Sequence, residues 1–245
     1  MGGEITVWWG PDDMVSALGF GTEENMAAVR AMKSSLASWH DATPVCLIDR
    51  KRLGALAAEQ GLAGYTPLER LVLATLGGGV ARSGVTPADK RALIVLATTK
   101  GEIGSLGSAP ERCDLNRTAE VVGRYFGTAH RPLLISNACI SGVSAIVIAA
   151  RLIRSGRYDH VFVAGFDLLS DFIVSGFNAF KSVSPTLCRP YDAARDGLTL
   201  GEAGGAVLLT ADRGLSATGV TVAGGGISND ANHISAPSRT GDGLA

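Results

Sequence analysis

Short, almost entirely apolar runs recur along this 245-residue chain, and segments with helical periodicity separate them. The runs Arg91–Thr98 (RALIVLAT) and Val161–Ala164 (VFVA) have the length of strands. Strands without polar alternation are typical of a sheet that is covered on both faces. Helical spacing of apolar residues marks the segment that opens at Thr66-Pro67 and the segment Asn116–Phe126. This alternation predicts an α/β fold with one mixed β-sheet and helices on both faces.

Weaker patterns predict further elements. The segment Ile5–Trp9 is rich in β-branched and aromatic residues and is interpreted as the first strand. Apolar residues within Met26–Trp39 recur every three or four positions, which predicts a helix that begins at Thr22. Ala206–Thr210 and Val220–Ala223 are interpreted as two strands that pair with each other across a turn.

Charge and hydropathy exclude several functional classes. Lys and Arg number 22 against 23 Asp and Glu, for a formal net charge of −1, so the basic excess that nucleic acid requires is missing. No apolar run reaches the length of a membrane span, and the N-terminus lacks a basic segment followed by an apolar one. These features predict a cytoplasmic protein with no nucleic-acid partner and no membrane span.

The four cysteines Cys46, Cys113, Cys139 and Cys188 form no CxxC pair and show no metal-ligand spacing. In a reducing compartment we expect free thiols and no metal site. Cys139 stands apart because it lies in Ser136–Gly142 (SNACISG), where an apolar run passes through small residues into a helical segment. A turn of this kind lifts a side chain clear of a sheet, and the N–H groups at a helix N-terminus favour a thiolate and can face an oxyanion. The pattern by itself is equally compatible with an inert core thiol.

Several ordered motifs decide between these interpretations. Ile135–Gly142, followed by Ala149–Ile153 and Ala164–Phe166, resembles the active-site segment of the β-ketoacyl-acyl-carrier-protein synthases of the thiolase-like superfamily. Further resemblances to that family follow along the chain, namely Val15–Gly19 with Thr22 and Glu24, Arg189–Asp192, Arg195–Gly197, Gly201–Gly205, and Asn229–His233 with Pro237. The resemblance covers essentially the whole chain. It implies a thiolase-like layered fold in which residues 1–245 form the N-terminal half of an α-β-α-β-α architecture.

The resemblance also implies roles for individual residues. Cys139 corresponds to the nucleophile that accepts the acyl chain as a thioester, and Phe177 to a residue of the acyl pocket. Lys181 corresponds to a basic contact with the acidic acyl carrier protein. Asp230 and His233 correspond to residues of the gating loop at the entrance, and Ser235 corresponds to a position beside the phosphopantetheine arm. The pair of Arg189 and Asp192, together with Arg195, is expected to stabilise a loop beside the site.

The histidines depart from the family pattern. Members of the family use two catalytic histidines from their C-terminal half, and none of the four histidines in this chain lies in either motif: His40, His130, His160 and His233. The chain is therefore expected to be a half, whether a truncated form, a cleaved product or one chain of a split pair, and to be incompetent for condensation alone.

The implied function is that of an acyltransferase of fatty acid or polyketide-type biosynthesis. An acyl group passes from carrier-protein phosphopantetheine to Cys139, and decarboxylative Claisen condensation with malonyl-carrier protein follows. No bound cofactor is expected. Expected partners are the acyl carrier protein and either a second copy, in a homodimer formed through the strand near Val161–Ala164 and the helix after Cys139, or the other subunit of a ketosynthase heterodimer. The alternatives are a non-elongating partner subunit like a chain-length factor, in which the nucleophile is usually replaced, and a scaffold without chemistry.

Overall fold

The computed structural model describes residues 5–40, 43–228 and 240. In this part of the chain the strands are β1 Trp8–Ser16, β2 Gly19–Phe20, β3 Leu36–Trp39, β4 Thr43–Cys46, β5 Ala92–Ala97, β6 Leu133–Ile135, β7 His160–Asp167, β8 Leu200–Gly201 and β9 Ala203–Thr210. The helices are α1 Thr22–Arg30, α2 Arg50–Glu59, α3 Pro67–Ser83, α4 Leu115–Phe126, α5 Ser141–Arg154 and α6 Asp171–Ala179. No helix within the described ranges is long and apolar enough to cross a membrane.

A six-stranded sheet with the order β2-β1-β9-β7-β5-β6 organises the fold. β5 pairs in parallel with both β6 and β7, whereas β9 is antiparallel to β7 and to β1. A smaller sheet has the order β3-β4-β8. The carboxyl ends of β5, β6 and β7 therefore lie together at one edge, where ligands bind in many sheets of this kind.

Helices cover both faces of the large sheet, as the alternation of apolar runs predicts. On one face, Ile94 and Leu96 of β5 belong to the same buried cluster as Leu71 of α3. On the other face, Val95 belongs to a cluster with Ala149 of α5. Successive side chains of a strand point to opposite faces, so β5 is apolar throughout because both of its faces are buried.

The helix predicted to open at Thr66-Pro67 is confirmed as α3. The Thr66 side chain accepts from the N–H of Glu69, and the Glu69 side chain accepts from the N–H of Thr66. This reciprocal arrangement satisfies two N–H groups that a helix start leaves unpaired. At the other end, Gly84 adopts φ 66°, a left-handed conformation that glycine accepts without steric cost.

The predicted long helix over Thr22–Trp39 is wrong. α1 ends at Arg30, Met32 turns into the left-handed region with φ 53°, and Leu36–Trp39 forms β3 against β4. Met32 is 90% exposed, so the periodic apolar residues do not form one buried stripe. Tertiary pairing with β4 decides the conformation of this segment, and a window of local periodicity does not contain that information.

Two strand predictions also need correction. Ala206–Thr210 lies within β9 and pairs with β1 and β7, not with Val220–Ala223. Val220–Ala223 instead runs beside the start of β1, where the N–H of Val222 donates to the carbonyl of Val7 at 2.9 Å. The first strand begins later than predicted, at Trp8, and extends to Ser16.

The strand expected at a dimer seam is an interior strand. β7 pairs with β5 along one side and with β9 along the other, so Val161–Ala164 offers no free edge to a second copy. The seam placed at this strand is therefore wrong. β6 is the edge strand on the Cys139 side of the sheet, and its first residue, Leu133, is exposed.

Close packing between β9 and α3 gives a first prediction. A Cβ on Gly204 would lie 2.7 Å from Thr75 Oγ1 and 3.0 Å from Leu71 Cδ1, whereas a Cβ on Gly205 would meet nothing within 4 Å. Gly204→Ala should lower the free energy of unfolding by about 1–3 kcal/mol through overpacking. Gly205→Ala, the matched control, should leave it unchanged or raise it by up to about 1 kcal/mol. Urea unfolding measures both, and equal losses would contradict the packing described.

Candidate active site

Cys139 lies in a tight turn between the end of β6 and the start of α5. The N–H of Asn137 donates to Ser141 Oγ at 2.8 Å, and Ser141 Oγ donates to the carbonyl of Ala138 at 2.6 Å. Ala138 adopts φ 46°, a left-handed conformation that is strained for a residue with a Cβ. The predicted arrangement of strand, small-residue turn and helix is thus confirmed, and the turn is closed by the first residue of the helix itself.

The thiol of Cys139 differs from the other three in exposure. Cys139 is exposed, whereas Cys46, Cys113 and Cys188 are half-buried. Cys113 also has a polar partner, because its Sγ donates to the carbonyl of Glu102 at 3.4 Å. An exposed thiol at a helix N-terminus is accessible both to a substrate and to the backbone N–H groups of the first turn.

The neighbouring strand ends bring polar residues that the sequence reasoning missed. Asp167, the last residue of β7, accepts hydrogen bonds from Thr98 Oγ1 at 2.7 Å and from the N–H of Thr99 at 3.1 Å. Burial raises the pKa of Asp167, and the hydrogen bonds from the two threonines act in the opposite direction. Ser136 Oγ in turn donates to the carbonyl of Thr99 at 3.2 Å. No local sequence pattern marks this cluster; the parallel pairing of β5 with both β6 and β7 brings the three strand ends to one edge.

Phe177 and Lys181 lie together at the C-terminal end of α6. Phe177 is half-buried, and its carbonyl accepts from the N–H of Ser182 at 3.1 Å. Lys181 is exposed and adopts φ 52° at a position after the helix where glycine is usual. The remaining predicted entrance residues, Asp230, His233 and Ser235, lie outside the described residues.

The loop predicted to be tied by arginines has a different pairing from the one expected. Arg189 forms an ion pair with Asp196 at 3.4 Å, not with Asp192. Asp192 Oδ1 accepts from the N–H of Ala194 at 2.7 Å, and the carbonyl of Asp192 accepts from Arg195 at 3.0 Å. The three predicted residues do stabilise one loop, but Asp192 holds the backbone of its own turn.

Two of the described histidines lie at the edge of the sheet opposite the Cys139 turn. His160 begins β7 and contacts Thr210 Oγ1 at 2.9 Å, at the amino edge of the parallel strands and so opposite the Cys139 turn. His130 precedes β6 at the same amino edge. His40 forms a 2.8 Å pair with Asp171, and hydrogen bonds from Trp39 and from His40 lower the pKa of that carboxyl. Within residues 5–40, 43–228 and 240, no three His, Cys, Asp or Glu side chains are arranged to hold a metal ion.

A groove of about 730 Å³ lies beside β1, near the side of the large sheet that ends in β2, whereas the Cys139 turn follows β6 on the other side. Its lining includes Trp9, Phe20 and several acids. Two of those acids have internal partners, because Asp13 pairs with Arg82 at 3.1 Å and Asp12 accepts from Thr22 Oγ1 at 2.8 Å. The groove is therefore separate from the Cys139 turn.

Sequence comparisons identify a family match and several relatives of this chain. Residues 64–213 match the family model of the β-ketoacyl synthase N-terminal domain. Nodulation protein E of Rhizobium meliloti strain 1021 is 33% identical over 177 residues, which are 69% of this chain and 42% of that protein. The 3-oxoacyl-[acyl-carrier-protein] synthase 2 of the same strain is 37% identical over 121 residues, or 44% of this chain and 29% of that protein. The chain thus spans less than half the length of these curated relatives.

Solved structures show the same fold. A ketosynthase in complex with its chain length factor from Xenorhabdus doucetiae aligns with a TM-score of 0.77 at 24% identity, over 98% of this chain and 65% of that one. The ishigamide ketosynthase/chain length factor aligns with a TM-score of 0.82 at 22% identity, over 99% and 68% of the two chains. The fold is therefore the thiolase-like layered fold of the ketosynthases. Since the family model matches more than half of its residues, the chain belongs to the β-ketoacyl synthase family.

Proposed function

We propose that this chain is the nucleophile-bearing N-terminal half of a 3-oxoacyl-acyl-carrier-protein synthase of fatty acid or polyketide-type biosynthesis. The supporting observation is the exposed Cys139 thiol, held in a closed turn at the N-terminus of α5. No other cysteine of the chain combines exposure with that position. Residues 1–245 would then be one domain, the β-ketoacyl synthase N-terminal domain.

In the first step, Cys139 Sγ attacks the thioester carbonyl of an acyl group on carrier-protein phosphopantetheine. A new C–S bond forms, an oxyanion develops on the carbonyl oxygen, and the phosphopantetheine thiolate leaves and takes a proton. Backbone N–H groups of the first turn of α5 are suited to stabilise that oxyanion. On the protein side, this step calls on the Cys139 thiol and the backbone at the start of α5.

In the second step, a malonyl group loses carbon dioxide, and the resulting carbanion attacks the acyl thioester on Cys139. A C–C bond forms and the Cys139 thiolate is released. In members of the family, two histidines of the C-terminal half stabilise that carbanion. His130 and His160 lie at the wrong edge of the sheet for this role, so we propose that condensation needs histidines supplied by a C-terminal half.

The reactivity of the four thiols tests the proposal. Cys139 should react with iodoacetamide or a cerulenin-like inhibitor well before Cys46, Cys113 and Cys188, because those three are half-buried. Peptide mapping after partial labelling gives the order of reaction. Preferential labelling of one of the other three cysteines would contradict the assignment.

The proposed partner is the acyl carrier protein, with Lys181 as a contact. Lys181→Glu should weaken binding of an acidic carrier protein at low ionic strength and reduce its dependence on salt. Lys181→Gly is the matched control for the backbone, since glycine suits φ 52°: it should raise stability by up to about 1 kcal/mol and still weaken docking. Unchanged carrier-protein binding in both variants would make Lys181 an ordinary surface residue.

A second candidate function is a partner subunit like a chain-length factor. The likeness to the Xenorhabdus doucetiae ketosynthase in complex with its chain length factor and to the ishigamide ketosynthase/chain length factor favours it. Cys139 favours the enzyme, because such subunits usually replace the nucleophile. Co-purification with a second ketosynthase, together with an unreactive Cys139, would support this candidate; a homodimer with a reactive Cys139 would support the enzyme.

A further inference from the structure

A partly buried acid lies behind the Cys139 turn. Asp167 ends β7, and three donors converge on its Oδ1: the hydroxyl of Thr98 at 2.7 Å, and the N–H and the hydroxyl of Thr99 at 3.1 Å each. Thr98 is 1% exposed, so its hydroxyl has little access to water as a substitute partner. The carboxylate therefore fixes the backbone and both side chains of the two residues that follow β5.

Thr98 and Thr99 connect this carboxylate to the Cys139 turn. The N–H of Thr98 donates to the carbonyl of Ile135 at 3.2 Å. The carbonyl of Thr99 accepts from Ser136 Oγ at 3.2 Å, three residues before Cys139. Thr98 and Thr99 thus donate to Asp167 through their hydroxyl groups, and their backbone bonds to Ile135 and Ser136 at the entry to the turn.

The chemistry of the donors makes an acid specifically suited to this position. All of the hydrogen bonds to the carboxylate come from neutral hydroxyl and N–H groups, and a carboxylate offers acceptor sites only. Burial raises the pKa of Asp167 because it disfavours the charged carboxylate, and the hydrogen bonds from Thr98 and Thr99 act in the opposite direction by stabilising that charge. An asparagine would keep Oδ1 as a neutral, weaker acceptor, but its NH₂ group would stand where Oδ2 accepts from the N–H of Thr99 at 3.2 Å.

We propose that Asp167 is a positioning residue for Cys139: through Thr99 and Ser136 it fixes the turn that presents the thiol. The functional part of this inference rests on the proposed role of Cys139 as acyl acceptor. Its structural part, the restraint of the turn, is measurable whether or not Cys139 is acylated.

Hydrogen–deuterium exchange of the full chain tests the restraint. In Asp167→Asn, the amides of 136–142 should exchange about tenfold faster, because the hydrogen bond to Oδ2 is lost and those to Oδ1 are no longer made to a charged acceptor. The amides of β9 should keep their rates. Ser136→Ala should accelerate the same peptide, and combining it with Asp167→Asn should add little, because the two residues act through one connection.

Asp159→Asn is the matched control. Asp159 precedes β7 at the opposite end of the same strand and accepts two hydrogen bonds from Arg91, at 2.9 and 2.6 Å. This variant also loses an acid with hydrogen bonds, yet the peptide 136–142 should exchange as in the wild type. Acyl transfer from acyl-carrier protein should slow about tenfold in Asp167→Asn and remain within about twofold of wild type in Asp159→Asn.

Each outcome decides a separate part of the inference. An unchanged exchange rate at 136–142 in Asp167→Asn overturns it. Acceleration of equal size in every peptide also overturns it, because that result indicates only a loss of global stability. If the wild-type chain accepts no acyl group while the local acceleration is found, the proposed function fails and the restraint of the turn by Asp167 stands.

Discussion

Supplied with acyl-carrier protein and malonyl-carrier protein, the 245-residue chain is expected to release no measurable β-ketoacyl product. Acid–base and electrostatic groups commonly contribute about 10²–10⁴-fold each, so the lack of two histidines should lower turnover by more than about 10³-fold. Of the described histidines, His130 and His160 lie at the amino edge of the parallel strands, opposite the Cys139 turn, and His40 pairs with the exposed Asp171. Product formation is followed by mass spectrometry of the carrier-protein-bound acyl chain.

The assay needs a positive control and a defined contrary result. The 3-oxoacyl-[acyl-carrier-protein] synthase 2 of Rhizobium meliloti, assayed alongside, would show that both substrates are competent. Robust turnover by the 245-residue chain would contradict the expectation. If that turnover disappeared in His233→Ala, the missing acid–base function would belong to His233.

Glu202→Ala should destabilise the fold more than Gly204→Ala does. The Glu202 side chain is fully buried and accepts from the N–H of Ile48 at 3.1 Å, the N–H of Leu169 at 3.0 Å and the guanidinium of Arg50 at 2.5 Å. It thereby joins the ends of β4 and β7. Removal leaves two backbone N–H groups unpaired, at about 1–3 kcal/mol each, so we expect a loss of about 3–4 kcal/mol in the free energy of unfolding.

Two companion variants make the Glu202 measurement specific. Glu202→Gln keeps one oxygen acceptor and should lose about half as much. Glu120→Ala removes a surface acid that lies 3.4 Å from Arg131, with both side chains exposed, and should cost less than about 1 kcal/mol. Guanidinium unfolding monitored by circular dichroism compares the three. Similar losses for Glu202→Ala and Glu120→Ala would mean that Glu202 does not join the two strand ends.

Local signals explain why part of the fold could be predicted from the sequence. β5 is apolar at every position because both of its faces are buried, and α3 carries its own N-terminal signal in Thr66 and Glu69. The Cys139 turn was found because a strand, a small-residue turn and a helix follow one another directly. In each case the sequence signal itself lies within a short segment.

Long-range partners explain what could not be predicted. β1 contains Pro11, Asp12 and Asp13, which disfavour a strand in isolation. The fold accommodates Asp13 because Arg82 pairs with it and because Gly78 of α3 has no Cβ where the carboxylate lies. These partners are more than sixty positions away in the sequence.

The polar cluster behind the active site was missed for the same reason. Asp167 is 69 positions from Thr98, and neither residue has a local pattern that connects them. Only the parallel pairing of β5 and β7 brings the two strand ends together.

Localisation of a transferred acyl group tests the central claim most directly. After incubation with acyl-carrier protein, intact mass spectrometry of the chain should show one added acyl group, and peptide mapping should place it on Cys139 as a hydroxylamine-sensitive thioester. Cys139→Ala should carry none. An acyl group on Cys46, Cys113 or Cys188, or one that persists in Cys139→Ala, would contradict the claim that Cys139 is the acyl acceptor.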